Sequence, residues 1–137
     1  RSAIDDVWIN PNGDLLIVDY KSTSKKEEVN LDADWQIAYK RQMELYQWLF
    51  RRNGFKVSAT GYFVYCNGRS DKEVFENRLE FEVKILPYEG TDGWVDPTLI
   101  DARKCLEKAE IPEANPDCDF CRYHELLKEA EGQKLNP

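Results

Sequence analysis

The chain has 137 residues, which is enough for one domain with a single hydrophobic core. Hydrophobic residues make up 42% of the sequence and aromatic residues 12%, so the composition excludes an intrinsically disordered chain. The net charge of -7, from 19 basic and 26 acidic residues, argues against a general polyanion-binding surface but leaves room for metal-dependent chemistry. The apolar runs are too short for a transmembrane helix, so no membrane partner is expected. The four cysteines predict a reducing, cytoplasmic setting rather than a disulfide scaffold.

The predicted elements begin with an antiparallel hairpin. Strand-like segments at residues 3–9 and 14–21 flank "NPNG", a turn signal with proline and glycine. A polar loop follows, and a helix is predicted from about residue 35 to 52, ending at Asn53-Gly54. The apolar stripe of this helix is predicted to pass through Ala38, Leu45, Tyr46 and Leu49.

The second half of the chain predicts two more strands and two helices. The segment 56–66 ends in a nearly continuous apolar run, which is typical of a strand covered on both faces. The segment 78–86 alternates strictly between apolar and charged residues, which predicts a half-exposed strand. Helices are predicted at about 97–109 and 122–131. The order β-β-α-β-β-α-α predicts an α/β domain, with α+β as the alternative, built on a mixed sheet.

The second strand carries an acid and a base on one face. Asp19 and Lys21 are separated by about 6.6 Å along the strand, because side chains alternate between the two faces. A symmetric hairpin pairs Ile9 with Leu15, Val7 with Ile17, and Asp5 with Asp19. Two adjacent carboxylates repel one another, and a bound magnesium ion would compensate, since it takes carboxylate ligands. The alternative is a simple ion pair between Asp19 and Lys21 at the end of a strand.

The predicted helix also carries a polar side chain on its packing face. Gln42 and Tyr46 are four residues apart and therefore lie on the same face. A buried amide must find hydrogen-bond partners, so Gln42 is a candidate site residue. The alternative is a boundary residue that is partly in solvent.

Other motifs have a functional and a structural interpretation. Cys118 and Cys121 have the spacing of metal ligands, and His124 adds an incomplete zinc arrangement, whereas Cys66 is interpreted as a core residue. Basic and aromatic residues on the helix indicate either a track for single-stranded nucleic acid or an ordinary solvated face. These residues are Trp35, Lys40, Arg41, Trp48, Arg51 and Arg52.

The ordered set of motifs resembles the PD-(D/E)XK nuclease superfamily, in the RecB-like branch that includes CRISPR-associated and recombination exonucleases. The resemblance rests on "IDDV" before a short hairpin, then "VDYKS", then "QMELY" as the Q-x-x-x-Y motif of the branch. The C-terminal "CDFCRY" is similar to the cysteine motif of the iron–sulfur members. The resemblance covers most of the chain and implies a restriction-endonuclease-like central mixed sheet with flanking helices, in one domain over residues 1–137.

The resemblance also implies roles for particular residues. Asp5 and Asp19 resemble the metal-binding acids, with the Tyr20 carbonyl as a further ligand, and the metal is Mg²⁺ or Mn²⁺. Lys21 resembles the catalytic lysine. Gln42 and Tyr46 resemble the residues that support the site and contact DNA. Cys118 and Cys121 resemble ligands of a [4Fe-4S] cluster that other residues of a full-length protein would complete.

The sequence therefore predicts a metal-dependent deoxyribonuclease, an exonuclease in DNA repair, recombination or defence, with DNA as substrate and a helicase or another repair or defence protein as partner. Members of the branch have an upstream helix that completes the metal site, and no such helix precedes Arg1. The chain alone is therefore expected to bind metal weakly or to be inactive. The competing hypotheses are a catalytically inactive nuclease-fold module for nucleic-acid binding or assembly, and a structural metal domain centred on Cys118 and Cys121.

Overall fold

A computed structural model of the protein describes residues 3–71 and 77–134. Its elements follow the predicted order of two strands, a helix, two strands and two helices. The strands are β1 (Asp6–Ile9), β2 (Leu15–Thr23), β3 (Thr60–Gly68) and β4 (Phe81–Glu89). The helices are a 3-10 turn (Asp34–Gln36), α1 (Ile37–Arg52), α2 (Val95–Leu106) and α3 (Asp119–Lys134). Among the described residues, no helix is both long and apolar enough to cross a bilayer.

The four described strands form one mixed sheet in the order β1-β2-β3-β4. β2 is antiparallel to β1 and parallel to β3, and β4 is antiparallel to β3. The mixed sheet with flanking helices confirms the predicted fold class. The chain divides into two compact units, Arg1–Pro97 and Thr98–Pro137. The single-domain assignment of residues 1–137 stays a prediction.

The turn between β1 and β2 fixes the register of the hairpin. Asn10 Oδ1 accepts hydrogen bonds from the backbone N–H groups of Asn12 and Asp14, both at 2.9 Å. Gly13 has a φ of 79°, which a residue with a side chain adopts with strain. Ile9 therefore pairs with Leu15, and Val7 pairs with Ile17, as the symmetric hairpin predicts.

The helix α1 connects the parallel strands β2 and β3 and packs on one face of the sheet. The buried core on this face contains Ile17, Phe63, Tyr65, Met43 and Tyr46. Gly61 allows the close approach of the helix, because a Cβ atom at this position would collide with Met43 Sδ. Any larger residue at position 61 therefore requires the helix or the methionine to move.

The apolar stripe predicted for α1 is wrong, except at Tyr46. Ala38 and Leu49 are exposed and Leu45 is only half-buried, whereas Met43, Glu44, Tyr46 and Gln47 are buried. Positions 45 and 49 follow positions 43 and 47 by two residues, which places them about 200° around the helix. The buried face of the helix contains both apolar and polar side chains, and the polar ones are tolerated because they have hydrogen-bond partners. Gln47 Nε2, for example, donates to the carbonyl oxygens of Ser58 and Ala59 at 3.2 and 3.0 Å.

The half-exposed strand β4 presents its apolar row to solvent. Phe81, Val83 and Ile85 are all more than half exposed. The register sets Leu86 opposite Phe63 and Tyr88 opposite Gly61, so the alternate residues of β4 face α1. The sequence alternation thus predicted a half-exposed strand, and the pairing register decides which of its two faces is covered.

Glu44 joins α1 to the turn that follows β4. Its carboxylate accepts hydrogen bonds from the Tyr88 hydroxyl at 2.7 Å, the Thr91 N–H at 3.1 Å and the Trp94 indole N–H at 2.6 Å. The ion pair between Arg51 and Asp92, at 2.6 Å, supports the same turn. The buried carboxylate is therefore satisfied by three donors, and its removal takes a hydrogen bond from each of them.

We expect Glu44→Ala to lower the free energy of unfolding by about 2 to 4 kcal/mol, because three hydrogen-bond donors lose their buried acceptor. Urea denaturation monitored by circular dichroism measures this loss. Glu107→Ala is the matched control, since this carboxylate pairs with Arg103 in solvent and its loss is expected to change stability by less than about 0.5 kcal/mol. Equal losses in the two variants would contradict the anchoring role of Glu44.

The same hydrogen bond predicts a pH dependence at the alkaline end. Burial, followed by the hydrogen bond and the charge of Glu44, raises the pKa of Tyr88 from 10.0 to about 12. Because the folded pKa is the higher one, the contribution to stability is complete below pH 10.0 and is lost as the pH rises through about 12. We expect the free energy of unfolding of Tyr88→Phe to fall less steeply over this range than that of the wild type. Parallel slopes in urea unfolding would refute this expectation.

Candidate active site

Two side chains of β2 form the centre of the candidate site. Asp19 and Lys21 both point towards α1, on the same face as the core residue Ile17. Asp19 is only 4% exposed, and its carboxylate forms an ion pair with the ammonium group of Lys21, which is itself largely buried. A buried acid therefore has one basic partner that is fixed by the strand.

The second predicted acid, Asp5, lies immediately before β1. The β1–β2 ladder ends at the pair of Asp6 and Val18, so the same register places Asp5 opposite Asp19. Asp5 Oδ2 accepts a hydrogen bond from the Tyr20 N–H at 2.9 Å, which holds the Asp5 side chain against β2. The structure thus brings Asp5 and Asp19 together as the symmetric hairpin predicts.

The environment of Asp19 shifts its protonation equilibrium. Burial raises the pKa of this carboxyl group, and the hydrogen bond and charge of Lys21 oppose that rise. Asp5 adds to the rise in the pKa, both by charge repulsion and by a hydrogen-bond interaction between the two carboxyl groups. Two neighbouring carboxyl groups disfavour the charged form of one another, whereas a cation beside them favours it.

The side chain of the neighbouring Asp6 lies on the other face of the sheet. Its carboxylate accepts hydrogen bonds from the Tyr20 hydroxyl at 2.9 Å, the Trp8 indole N–H at 3.0 Å and the Val7 N–H at 2.8 Å. These three donors, with the Tyr20 hydroxyl first, lower the pKa of Asp6. Asp5 and Asp6 therefore have different surroundings, because these adjacent residues lie on opposite faces of the sheet.

The helix α1 contributes a chain of hydrogen bonds to the site. Lys21 Nζ donates to Gln42 Oε1 at 3.4 Å, and Gln42 Nε2 donates to the Tyr46 hydroxyl at 3.1 Å. The Tyr46 hydroxyl in turn donates to the carbonyl oxygen of Ala3 at 3.0 Å. Gln42 is therefore half-buried and hydrogen-bonded to both Lys21 and Tyr46. The chain connects the lysine to the backbone two residues before Asp5.

Sequence reasoning missed one aromatic side chain at the site. Lys21 Nζ lies 4.2 Å from the centroid of the Tyr39 ring, which is close enough for a cation–π interaction. Tyr39 precedes Gln42 by three residues and Tyr46 by seven, so all three side chains lie along one face of α1. This helical spacing is the feature of the sequence from which Tyr39 could have been predicted as a neighbour of the site. Tyr65 is the direct partner of Lys21 across β2 and β3, and burial raises the pKa of its hydroxyl group.

The cysteines do not form a larger ligand set among the described residues. Cys118 immediately precedes α3, and hydrogen bonds from the backbone and thiol of Cys121 lower the pKa of the Cys118 thiol. Within residues 3–71 and 77–134, no three His, Cys, Asp or Glu side chains lie close enough together to bind a metal ion, so His124 completes no zinc site. A [4Fe-4S] cluster takes four thiolates, and the pair Cys118 and Cys121 supplies two. These residues alone therefore do not fit the predicted cluster.

Comparison with known proteins identifies the family. The family model for the PD-(D/E)XK nuclease superfamily matches residues 1–126, which include the four strands and the candidate site. The search of curated proteins and the search of solved structures found no match. Because the matched range covers most of the sequence, the chain belongs to the PD-(D/E)XK nuclease superfamily.

Proposed function

We propose that the protein is a metal-dependent deoxyribonuclease that hydrolyses phosphodiester bonds in DNA, and that it acts as an exonuclease of the RecB-like branch. The observation that carries this proposal is the convergence of Asp5, Asp19 and Lys21 on one edge of the sheet. Two acids and a base lie together where the β1–β2 ladder ends. These are groups that metal-dependent phosphodiester hydrolysis uses. Membership in a superfamily of nucleases supports the same reaction class.

The two acids fit a magnesium or manganese ion. Magnesium in phosphoryl-transfer sites uses one or two carboxylates, together with waters and substrate phosphate. Asp5 and Asp19 supply those carboxylates, and their mutual repulsion is the charge that a cation would relieve. The backbone of Tyr20 lies beyond the end of the β1–β2 ladder, which leaves its carbonyl oxygen as a candidate third ligand. A bound ion lowers the pKa of its water and stabilises negative charge on the phosphodiester.

Lys21 is proposed to position the attacking water and to offset the negative charge that develops on the phosphate. Three groups fix its ammonium group, namely the Asp19 carboxylate, the Gln42 amide oxygen and the Tyr39 ring. The surrounding protein therefore holds the cation at one place before substrate binds, which is the condition for electrostatic catalysis without reorganisation.

Gln42 and Tyr46 are proposed as positioning residues that also approach the DNA near the scissile phosphate. Their hydrogen bonds join Lys21 to the Ala3 carbonyl, so one helix orients the lysine and the segment that carries Asp5. DNA is the proposed partner, and a helicase or another repair or defence protein is the partner class that the RecB-like assignment suggests. The four free cysteines agree with a reducing, cytoplasmic location.

We expect Lys21→Ala to lower the rate of DNA cleavage by about 10² to 10⁴-fold, because the water loses its positioning group and the phosphate loses a cation. The assay follows linear and circular DNA with manganese and without it, and cleavage of linear DNA alone indicates an exonuclease. Lys56→Ala is the matched control, since Lys56 pairs with Asp14 on the surface. Equal cleavage by the wild type and Lys21→Ala would exclude the proposed mechanism. DNA binding without cleavage under every condition would instead support the inactive-module hypothesis.

We expect Asp5→Asn and Asp19→Asn each to weaken manganese binding at least tenfold, about 1.4 kcal/mol, because each removes one carboxylate ligand. Isothermal titration calorimetry measures this change in affinity. Asp6→Asn is the control, since Asp6 is adjacent in sequence but faces the other side of the sheet. If Asp6→Asn weakens binding as much as Asp5→Asn does, then the ion is not held at the proposed face.

A further inference from the structure

A row of two aromatic side chains connects Lys21 to a second lysine, Lys25. Tyr39 lies over Lys21 Nζ at 4.2 Å, and the rings of Tyr39 and Trp35 meet edge to face, with centroids 5.3 Å apart. Lys25 Nζ lies 5.3 Å from the centroid of the Trp35 ring. We call these four side chains the Trp35 row. None of the steps in the row exceeds the range of direct contact between a cation or a ring and its neighbour.

The indole of Trp35 is exposed and yet held in a fixed place. Trp35 is 54% exposed and belongs to the 3-10 turn, whose next residue, Gln36, is only 2% exposed. Gln36 Nε2 donates to the Asn30 carbonyl at 2.8 Å and to the Tyr65 hydroxyl at 3.1 Å. Gln36 Oε1 accepts from the Ala33 N–H at 2.9 Å. A buried, fully bonded amide thus anchors the turn that presents Trp35 to solvent.

The cation beside the indole is also anchored through its backbone. The Lys25 N–H donates to Asn67 Oδ1 at 2.8 Å, and Asn67 Nδ2 donates back to the Lys25 carbonyl at 3.0 Å. Ser24 Oγ donates to the Gly68 carbonyl at 3.1 Å. The loop after β2 is therefore attached to the end of β3, and Lys25 extends from a defined point next to Trp35.

The opposite end of α1 differs from this arrangement. Arg51 and Arg52 form ion pairs with Asp92 and Asp96, at 2.6 and 2.5 Å, so their charges are offset by carboxylates. Arg52 also lies over the Trp48 ring, with 5.4 Å to the centroid. The turn before α1 is therefore the better candidate for a polyanionic ligand than the C-terminal end of the helix, because its exposed indole is next to Lys25 and leads towards Lys21.

We propose that Trp35 is a stacking platform for an unpaired nucleobase of the substrate strand and that Lys25 contacts a backbone phosphate beside it. The proposal rests on the proposed function, which places the scissile phosphate at Lys21. A flat aromatic face next to a cation is the chemistry that binds single-stranded nucleic acid without sequence preference. Two contact steps, of 4.2 and 5.3 Å, separate Lys21 from the indole. The indole therefore lies no more than about 9.5 Å from Lys21 Nζ, which is a length of two to three nucleotides at a rise of about 3.4 Å per residue.

The test measures binding of a fluorescently labelled oligothymidylate of about 16 nucleotides by anisotropy, in EDTA so that no cleavage occurs. Stacking of one base is worth about 1 to 3 kcal/mol, so we expect Trp35→Ala to weaken binding by about 5- to 150-fold. Trp35→Leu keeps bulk against Tyr39 but loses the aromatic face, and it is expected to behave like Trp35→Ala. Trp35→Phe keeps a ring and is expected to retain most of the affinity.

Two control variants match the exposure and charge of the changed residues. Phe55 is 53% exposed and follows the other end of α1, about 24 Å along the helix from Trp35, so Phe55→Ala is expected to bind like the wild type. In a salt titration, Lys25→Ala is expected to reduce the slope of log affinity against log salt by about 0.7, and Lys56→Ala is expected to leave it unchanged. Trp35→Leu is expected to leave this slope unchanged too, because stacking releases no counterion.

The proposal is overturned if Trp35→Leu binds as tightly as the wild type, if Phe55→Ala weakens binding equally, or if the wild type does not bind the oligonucleotide. It is also overturned if Trp35→Leu weakens binding of a duplex of the same length as much as it weakens binding of the single strand. The outcome is separable from that of the proposed function, because the binding assay contains no metal and involves no cleavage. If Trp35→Leu weakens binding of the oligonucleotide but the wild type cleaves no DNA, then Trp35 is a stacking platform and the proposed nuclease activity is wrong.

Discussion

The register of the β1–β2 hairpin is the constraint on which the candidate site depends. A shift of one residue would move every side chain of β2 to the opposite face of the sheet. Asp19 and Lys21 would then leave α1, and the Asp5 carboxylate would lose its position beside Asp19. The short turn from Asn10 to Asp14 sets this register through local hydrogen bonds. A feature of five residues far from the acids therefore determines whether the acids meet.

The helix α1 stabilises the site by means of polar groups as much as by apolar ones. Gln36, Glu44 and Gln47 are buried, and each has several hydrogen-bond partners. A buried amide or carboxylate without partners costs about 1 to 3 kcal/mol, so these groups require one particular placement of the helix. A purely apolar interface would tolerate sliding of the helix more readily, whereas these hydrogen bonds specify where Tyr39, Gln42 and Tyr46 lie.

The sequence predicted the hairpin register and the element order well, because turn chemistry and alternation are local signals. It predicted Gln42 as a site residue for a physical reason, namely that an amide on a packing face needs partners. It failed for the stripe of Leu45 and Leu49, because apolar periodicity does not reveal that Glu44 and Gln47 find hydrogen-bond partners in distant segments. It also did not indicate that Phe81, Val83 and Ile85 face solvent, since the register of β4 against β3 is a non-local property. Tyr39 was missed because an aromatic residue on a helix face is most simply interpreted as core.

The hydrogen-bond chain from Lys21 through Gln42 and Tyr46 to Ala3 makes the site cooperative in the thermodynamic sense. Gln42 and Tyr46 each accept one hydrogen bond and donate another, so the loss of either side chain removes a hydrogen bond from both of its neighbours in the chain. Free energies assigned to the individual residues are then not additive, and a double-mutant cycle across the chain has a large interaction energy. The effect of a substitution at one of these residues therefore depends on which side chains stand at the other positions of the chain.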